Sequence, residues 1–180
     1  GLEVSDKPDI YNDYGLLLLQ SGNLGDAVEV LSACLEKVQQ AEDAVVGEAR
    51  SHHNYAQALF HCGREEPARK HYQRAVELRD GYPEPKLGLG QLETETGNVD
   101  TGVEYFEEAM RLFAQNGNIE KWENTLMMAI DALENAGRIQ DAIHKCDYGI
   151  ETLYDIGGGH LPISGALQLR KSELEKSIQN

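Results

Sequence analysis

Four histidines and a cysteine crowd one stretch of this 180-residue chain: His52, His53, His61, Cys62 and His71. Side chains of these types invite a metal-site reading, because imidazole and thiolate are the usual zinc ligands. The spacing argues otherwise. His53 and His61 stand eight residues apart, about 12 Å along a helix, too far to share one ion. No His-x-x-x-His pair occurs. The histidines are therefore read as packing and surface-lining groups, and no metal is expected. Cys34, Cys62 and Cys146 are three in number, widely spaced and without a Cys-x-x-Cys, which points to reduced thiols and a cytoplasmic setting. Gly157-Gly158-Gly159 has neither a strand before it nor Lys-Ser/Thr after it, so it reads as a linker and not as a phosphate loop. No catalytic triad, dinucleotide fingerprint or paired-carboxylate cleft is recognisable. The expectation is a chain that is not an enzyme and calls for no cofactor.

Charge narrows the partners. Sixteen basic against 31 acidic residues give a formal charge of −15. That disfavours nucleic acid and anionic membranes, and allows a basic protein segment. The acids cluster: Glu93, Glu95, Asp100, Glu104, Glu107 and Glu108 fall between Leu87 and Met110, a span without Lys or Arg. The preceding Arg64, Arg69, Lys70, Arg74 and Arg79 are the contrast. No apolar run is long enough to span a bilayer, and the opening is not a signal peptide. A first residue of Gly instead of Met suggests an excised or processed piece.

The elements that must carry these side chains repeat. In Arg50–Arg79 the apolar residues return at spacings of three and four on both sides of Cys62-Gly63, the pattern of two helices joined by a turn. The turn glycine recurs as Gly22, Gly63, Gly97 and Gly137, at steps of 41, 34 and 40 residues. Five residues after each comes a small one: Ala27, Ala68, Gly102 and Ala142. Four further on stand Leu31, Tyr72, Phe106 and Cys146, and three more give Cys34, Ala75, Ala109 and Gly149. Seven residues before each glycine are Gly15, Ala56, Gly90 and Ile130. Large and small residues alternate where two helices must approach closely.

This pattern resembles the tetratricopeptide repeat (TPR), over about residues 8 to 157. Tyr14-Gly15 with Leu18, and Leu89-Gly90, are similar to its Leu-Gly dipeptide, and Ala27, Ala68, Ala75, Ala109 and Ala142 to its alanines. There are departures. Gln39, Asp80, Ala114 and Tyr154 stand where the closing proline would be, Glu93 replaces an aromatic, and Ile130 replaces a small residue. The resemblance implies an all-α fold, a right-handed α-solenoid of four helix–turn–helix repeats in a single domain. The copies span about 8–44, 45–82, 83–117 and 118–157, followed by a linker at 157–161 and a capping helix at 162–179. Helix pairs are expected near 9–21 and 25–40, 45–62 and 65–79, 84–96 and 99–115, and 119–136 and 139–156. Ile163, Leu167, Leu174 and Ile178 would form the cap's apolar face.

In such a solenoid the first helices line a concave groove. The repeat frame places Asn12 and Leu16 there from the first copy, and Arg50, His53, Asn54, Gln57 and His61 from the second. Leu87, Gln91 and Glu95 come from the third copy, and Asn124, Met127 and Asp131 from the fourth, with Gly88 also in the frame. Amides suit a peptide backbone and methionine adapts to side chains, so a peptide or partner helix is the expected ligand, a basic segment included. The columns that clamp acidic chaperone tails in one subclass hold Asn12, Leu16, Asn54, Glu84 and Gly88, of which only Asn54 matches. The expected function is non-catalytic protein–protein interaction, as an adaptor, assembly factor or chaperone. Two alternatives stand beside it: a homo-oligomer joined through the Leu16–Leu19 helix, and a regulatory or recruiting module of a larger enzyme.

Overall fold

The computed structural model describes residues 7–40, 45–155 and 162–178. Among them are nine helices and no strand: α1 (Pro8–Gln20), α2 (Leu24–Gln39), α3 (Val45–His61), α4 (Glu65–Leu78), α5 (Pro83–Glu95), α6 (Val99–Gln115), α7 (Ile119–Asn135), α8 (Ile139–Asp155) and α9 (Pro162–Ile178). Each expected helix is present with its ends shifted by no more than a residue. The linker at 157–161 lies outside the described residues.

The turns explain why the helices end where they do. Gly22, Gly63, Gly97 and Gly137 all hold φ between 71 and 89°, the left-handed region that side chains with a Cβ avoid. In each, the glycine N–H bonds the carbonyl three residues back and the next N–H bonds the carbonyl five back, as in Asn23 to Leu18 (2.9 Å) and Arg64 to Leu59 (2.9 Å). This closure satisfies the last carbonyls of the first helix and turns the chain into the second. Gly117 makes the same turn between α6 and α7, with Asn118 donating to Phe113 over 2.8 Å. Asn118 then caps α7, its side chain accepting from the Lys121 N–H at 3.1 Å.

The described residues form two compact units, one ending at Leu92 and one beginning at Glu93. In the first, α1 packs on α2, α2 on α3 and α3 on α4; in the second, α6 packs on α7, α7 on α8 and α8 on α9. All sixteen residues of the four repeat columns are buried. Where the column is glycine, a side chain fills the space. A Cβ on Gly15 would lie 2.5 Å from Leu31, and one on Gly149 would strike Leu126. Copy four exchanges the pattern: Ile130 occupies the small column and Cys146 the large one, both fully buried. The second departure is solved by a hydrogen bond. Glu93 is buried where an aromatic is expected, and Asn98 Nδ2 donates to its Oε2 at 2.8 Å.

The capping helix follows expectation in part. Leu167 and Leu174 are buried, but Ser164 joins them, while Ile163 is only half-buried and Ile178 is exposed. Ile178 is the last residue of the helix and lines an open concavity beside Gln140 and Ile143 of α8. No helix among the described residues is long and apolar enough to cross a membrane.

Candidate protein-binding surface

The first helices carry the candidate residues, and the burial of each follows from its position on the helix. On α3, Ser51, His52, Asn54, Ala56, Ala58 and Leu59 turn inward, whereas His53 and Gln57 are half-buried and Arg50 and His61 exposed. The outer four are spaced by three, four and four residues and so share one stripe. The stripe is held at both ends. Arg50 Nη2 donates to Asp9 Oδ1 of α1 at 2.6 Å. His61 packs beside Phe60, ring centroids 5.8 Å apart.

His53 is the best-framed member. Its ring lies 5.7 Å from that of Tyr72 and 5.6 Å from that of Tyr82. Arg79 covers Tyr82 at 5.4 Å from the ring centroid. Burial, with Glu84 adding to it, pushes the Tyr82 phenol up to about 12, so it stays a neutral donor at any working pH.

Asn12 and Asn54 are expected as ligand-contacting amides, and the structure places them elsewhere. They are 4% and 6% exposed, and Asn54 Nδ2 donates to Asn12 Oδ1 at 2.5 Å. Their hydrogen bond joins α1 to α3 in the interior, where the repeat frame alone puts both on the lining. Gly88 is also removed from the surface, because its lack of a side chain makes room for Tyr72. Of the remaining first-unit candidates, Leu16, Leu87 and Gln91 are half-buried.

In the second unit Glu95 and Asn124 are exposed and Met127 half-buried. Asp131 is exposed but engaged, since Arg170 of α9 donates to its Oδ1 at 2.8 Å and reaches Glu134 at 2.7 Å. Part of the acidic run is paired inside this unit. Asp100 pairs with Arg138 and Glu107 with Lys145, both cations belonging to the fourth copy. Glu107 and Lys145 line a concavity of about 540 Å³ among α6, α7 and α8, with Met110, Trp122 and Tyr148 on its apolar side.

The pair that sequence reasoning leaves apart is His52 and His71. Their Nδ1 atoms are 2.8 Å apart, with the rings stacked at 5.0 Å between centroids. Tyr55 meets the His71 ring edge-on at 4.7 Å, and Glu48 lies 3.6 Å from His52 Nε2. Burial lowers both imidazole pKa values, and for His52 the neighbouring His71 lowers it further. The signal was available: the two stand 11 and 8 residues either side of Gly63, close to the same height on antiparallel helices. No group of three or more His, Cys, Asp or Glu is arranged to hold a metal among the described residues.

A family model described as tetratricopeptide repeat matches residues 6–80. The first two copies are tetratricopeptide repeats. Its solved structural neighbours carry the same architecture beyond residue 80. The nearly identical TPR-like repeats of the kinesin-light-chain type from Podosopora anserina superpose with a TM-score of 0.78 at 15% identity, over 99% of this chain and 90% of that one. Aspartyl phosphate phosphatase F from Bacillus subtilis gives a TM-score of 0.75 at 14% identity, covering 96% and 47%. MamA protein gives 0.63 at 17% identity, covering 83% and 74%. At these identities the likeness shows the fold, an all-α TPR-like solenoid. No curated protein sequence matches the chain. A TPR fold supports protein–protein interaction as its use.

Proposed function

We propose that this TPR protein is a non-catalytic binding module, an adaptor or assembly factor that takes a peptide or a partner helix on its first helices. The observation that carries the reading is the α3 stripe of Arg50, His53, Gln57 and His61, exposed at its two ends and half-buried between them, on a helix most of whose other residues are buried. Gln57 offers an amide donor and acceptor to a peptide backbone, and His53 is held in place by two tyrosines to stack against a ligand side chain. Leu16, Leu87 and Gln91 extend this surface in the first unit. Asn124 and Met127, with Glu95 and Asp131, form the corresponding surface in the second.

A basic segment is the form of ligand that the charge of −15 favours. Internal pairing of Asp100, Glu107 and Asp131 leaves less acidity for it than the composition suggests. The test is photo-crosslinking from Gln57 and Asn124 positions in native extract, followed by a salt titration of the captured complex. Crosslinks at both positions support the reading, and affinity that falls between low and high salt supports the basic ligand. Crosslinking that occurs only from α6 or α8 positions around Trp122 refutes the first-helix surface.

A further inference from the structure

We propose that the concavity among α6, α7 and α8 is a second docking site, which takes an acidic segment of a partner protein bearing a large apolar side chain. The hollow measures about 540 Å³, within the range of about 300–1,000 Å³ common for ligand sites. Met110 of α6 and Trp122 of α7 line it and are buried, while Tyr148 of α8 lines it and is 47% exposed. Trp and Tyr suit the anchoring of a partner's side chain, since each offers a wide, rigid apolar face with few torsions to fix. Met110 adapts to the shape of what enters.

Charge says which segment fits. Glu107, Arg111 and Lys145 are the charged side chains that line the hollow. Glu107 is taken by Lys145, whose ammonium also lies 5.7 Å from the centroid of the Tyr148 ring. Arg111 is exposed and makes no ion pair among the described residues. The lining therefore sets two cations against one carboxylate, in a chain whose formal charge is −15. The repeat frame singles out the same residue. Fourteen positions after the turn glycines stand Glu36, Glu77, Arg111 and Glu151, so the third copy alone reverses the sign of this column. A free guanidinium beside an apolar hollow pairs with a carboxylate next to the entering side chain, in the bidentate geometry that suits Arg. A basic ligand, which the charge of the whole chain favours, meets repulsion at this point. The site is separate from the first-helix surface of α3, and either can fail without the other.

The test pans a phage library of short random peptides on the 180-residue protein, with an Arg111→Glu variant as the parallel target. That variant places at 111 the residue type of the other three copies, and Arg111→Gln is the milder second variant. Peptides that bind the wild type and not Arg111→Glu are expected to carry Asp or Glu beside Phe or Leu. A Trp-free member of this set, made synthetically, should change the emission of Trp122, the single tryptophan of the chain. Arg111→Glu should weaken its binding about tenfold or more, and Arg111→Gln by less, because the first adds repulsion to the lost pair. The proposal is overturned if no peptide is lost to either variant, if the selected peptides are basic or uncharged, or if binding leaves Trp122 emission unchanged. Concentration-dependent sedimentation of the protein alone that Arg111→Glu abolishes would also overturn it, by naming a second copy as the occupant. None of these readouts involves Gln57 or Asn124, so failure here leaves the first-helix surface standing.

Discussion

The Nδ1 atoms of His52 and His71 face each other at 2.8 Å across the α3–α4 hairpin, so one ring donates and the other accepts. A second proton on this pair would set two N–H groups against each other. Burial lowers both pKa values, which means the unfolded chain binds protons more readily than the folded one. Stability is therefore full above the ordinary imidazole value of about 6.5 and is lost as pH falls through the lower folded values. Glu48 acts against this trend and Arg74 with it. Denaturant midpoints at pH 7.5 and 5.5 should differ, and a His71→Gln variant should flatten the difference; an equal slope in wild type and variant would disprove the assignment.

Asn12 and Asn54 should behave as a unit. Asn54→Ala leaves a buried amide unsatisfied and is expected to cost about 1–3 kcal/mol. Replacing both by leucine should cost less than the sum of the singles, since no orphan remains. Urea unfolding of the four proteins of this cycle gives the coupling. Strict additivity would mean that the 2.5 Å contact carries no energy.

Gly149 should tolerate no methyl group. A Cβ there would strike Leu126 of α7 and come within 2.9 Å of Leu167 of α9. Gly149→Ala is expected to destabilise by about 1–3 kcal/mol despite alanine's better helix propensity. Hydrogen exchange should report the loss first in α9. Gly165, with nothing within 4 Å, is the control, and Gly165→Ala should stabilise slightly.

The three thiols should react unequally with a disulfide reagent. Cys62 is partly exposed in the turn, whereas Cys34 and Cys146 are buried. Burial raises both buried thiols, that of Cys146 to about 11, so little thiolate exists at neutral pH. One fast equivalent is expected, with the others appearing only on unfolding. Three equal rates would contradict the packing.

The helices were readable because glycine at φ near +75° and small residues facing large ones leave few other sequences that work. Gly22, Gly63, Gly97 and Gly137 marked every hairpin, and their intervals were enough to set the helix ends. The surface was less legible. A repeat frame gives a residue's height and angle but not whether a neighbour takes its hydrogen bonds: Asn12 and Asn54 found each other on adjacent first helices, and Asp131 found Arg170 on the capping helix. Gly88 misled for a related reason: its column faces outward until Tyr72, from the copy before, needs the space. The Leu16–Leu19 run looked apolar all round, yet only Leu17 is strongly exposed, with Ile10 and Tyr14 completing a stripe that the run itself does not show.

The exchange of sizes in copy four bears on how a repetitive chain avoids folding wrongly. Hairpins with identical columns can mispair, since any first helix would dock on any second. Ile130 occupies a column that is Gly15, Ala56 or Gly90 elsewhere, and it matches Cys146 where the other copies hold Leu31, Tyr72 or Phe106. A helix carrying Ile130 would collide with those larger residues, and one carrying Gly15 would leave a void over Cys146. The swap thus works as a key that rejects misaligned partners, discrimination obtained by exclusion with no added attraction.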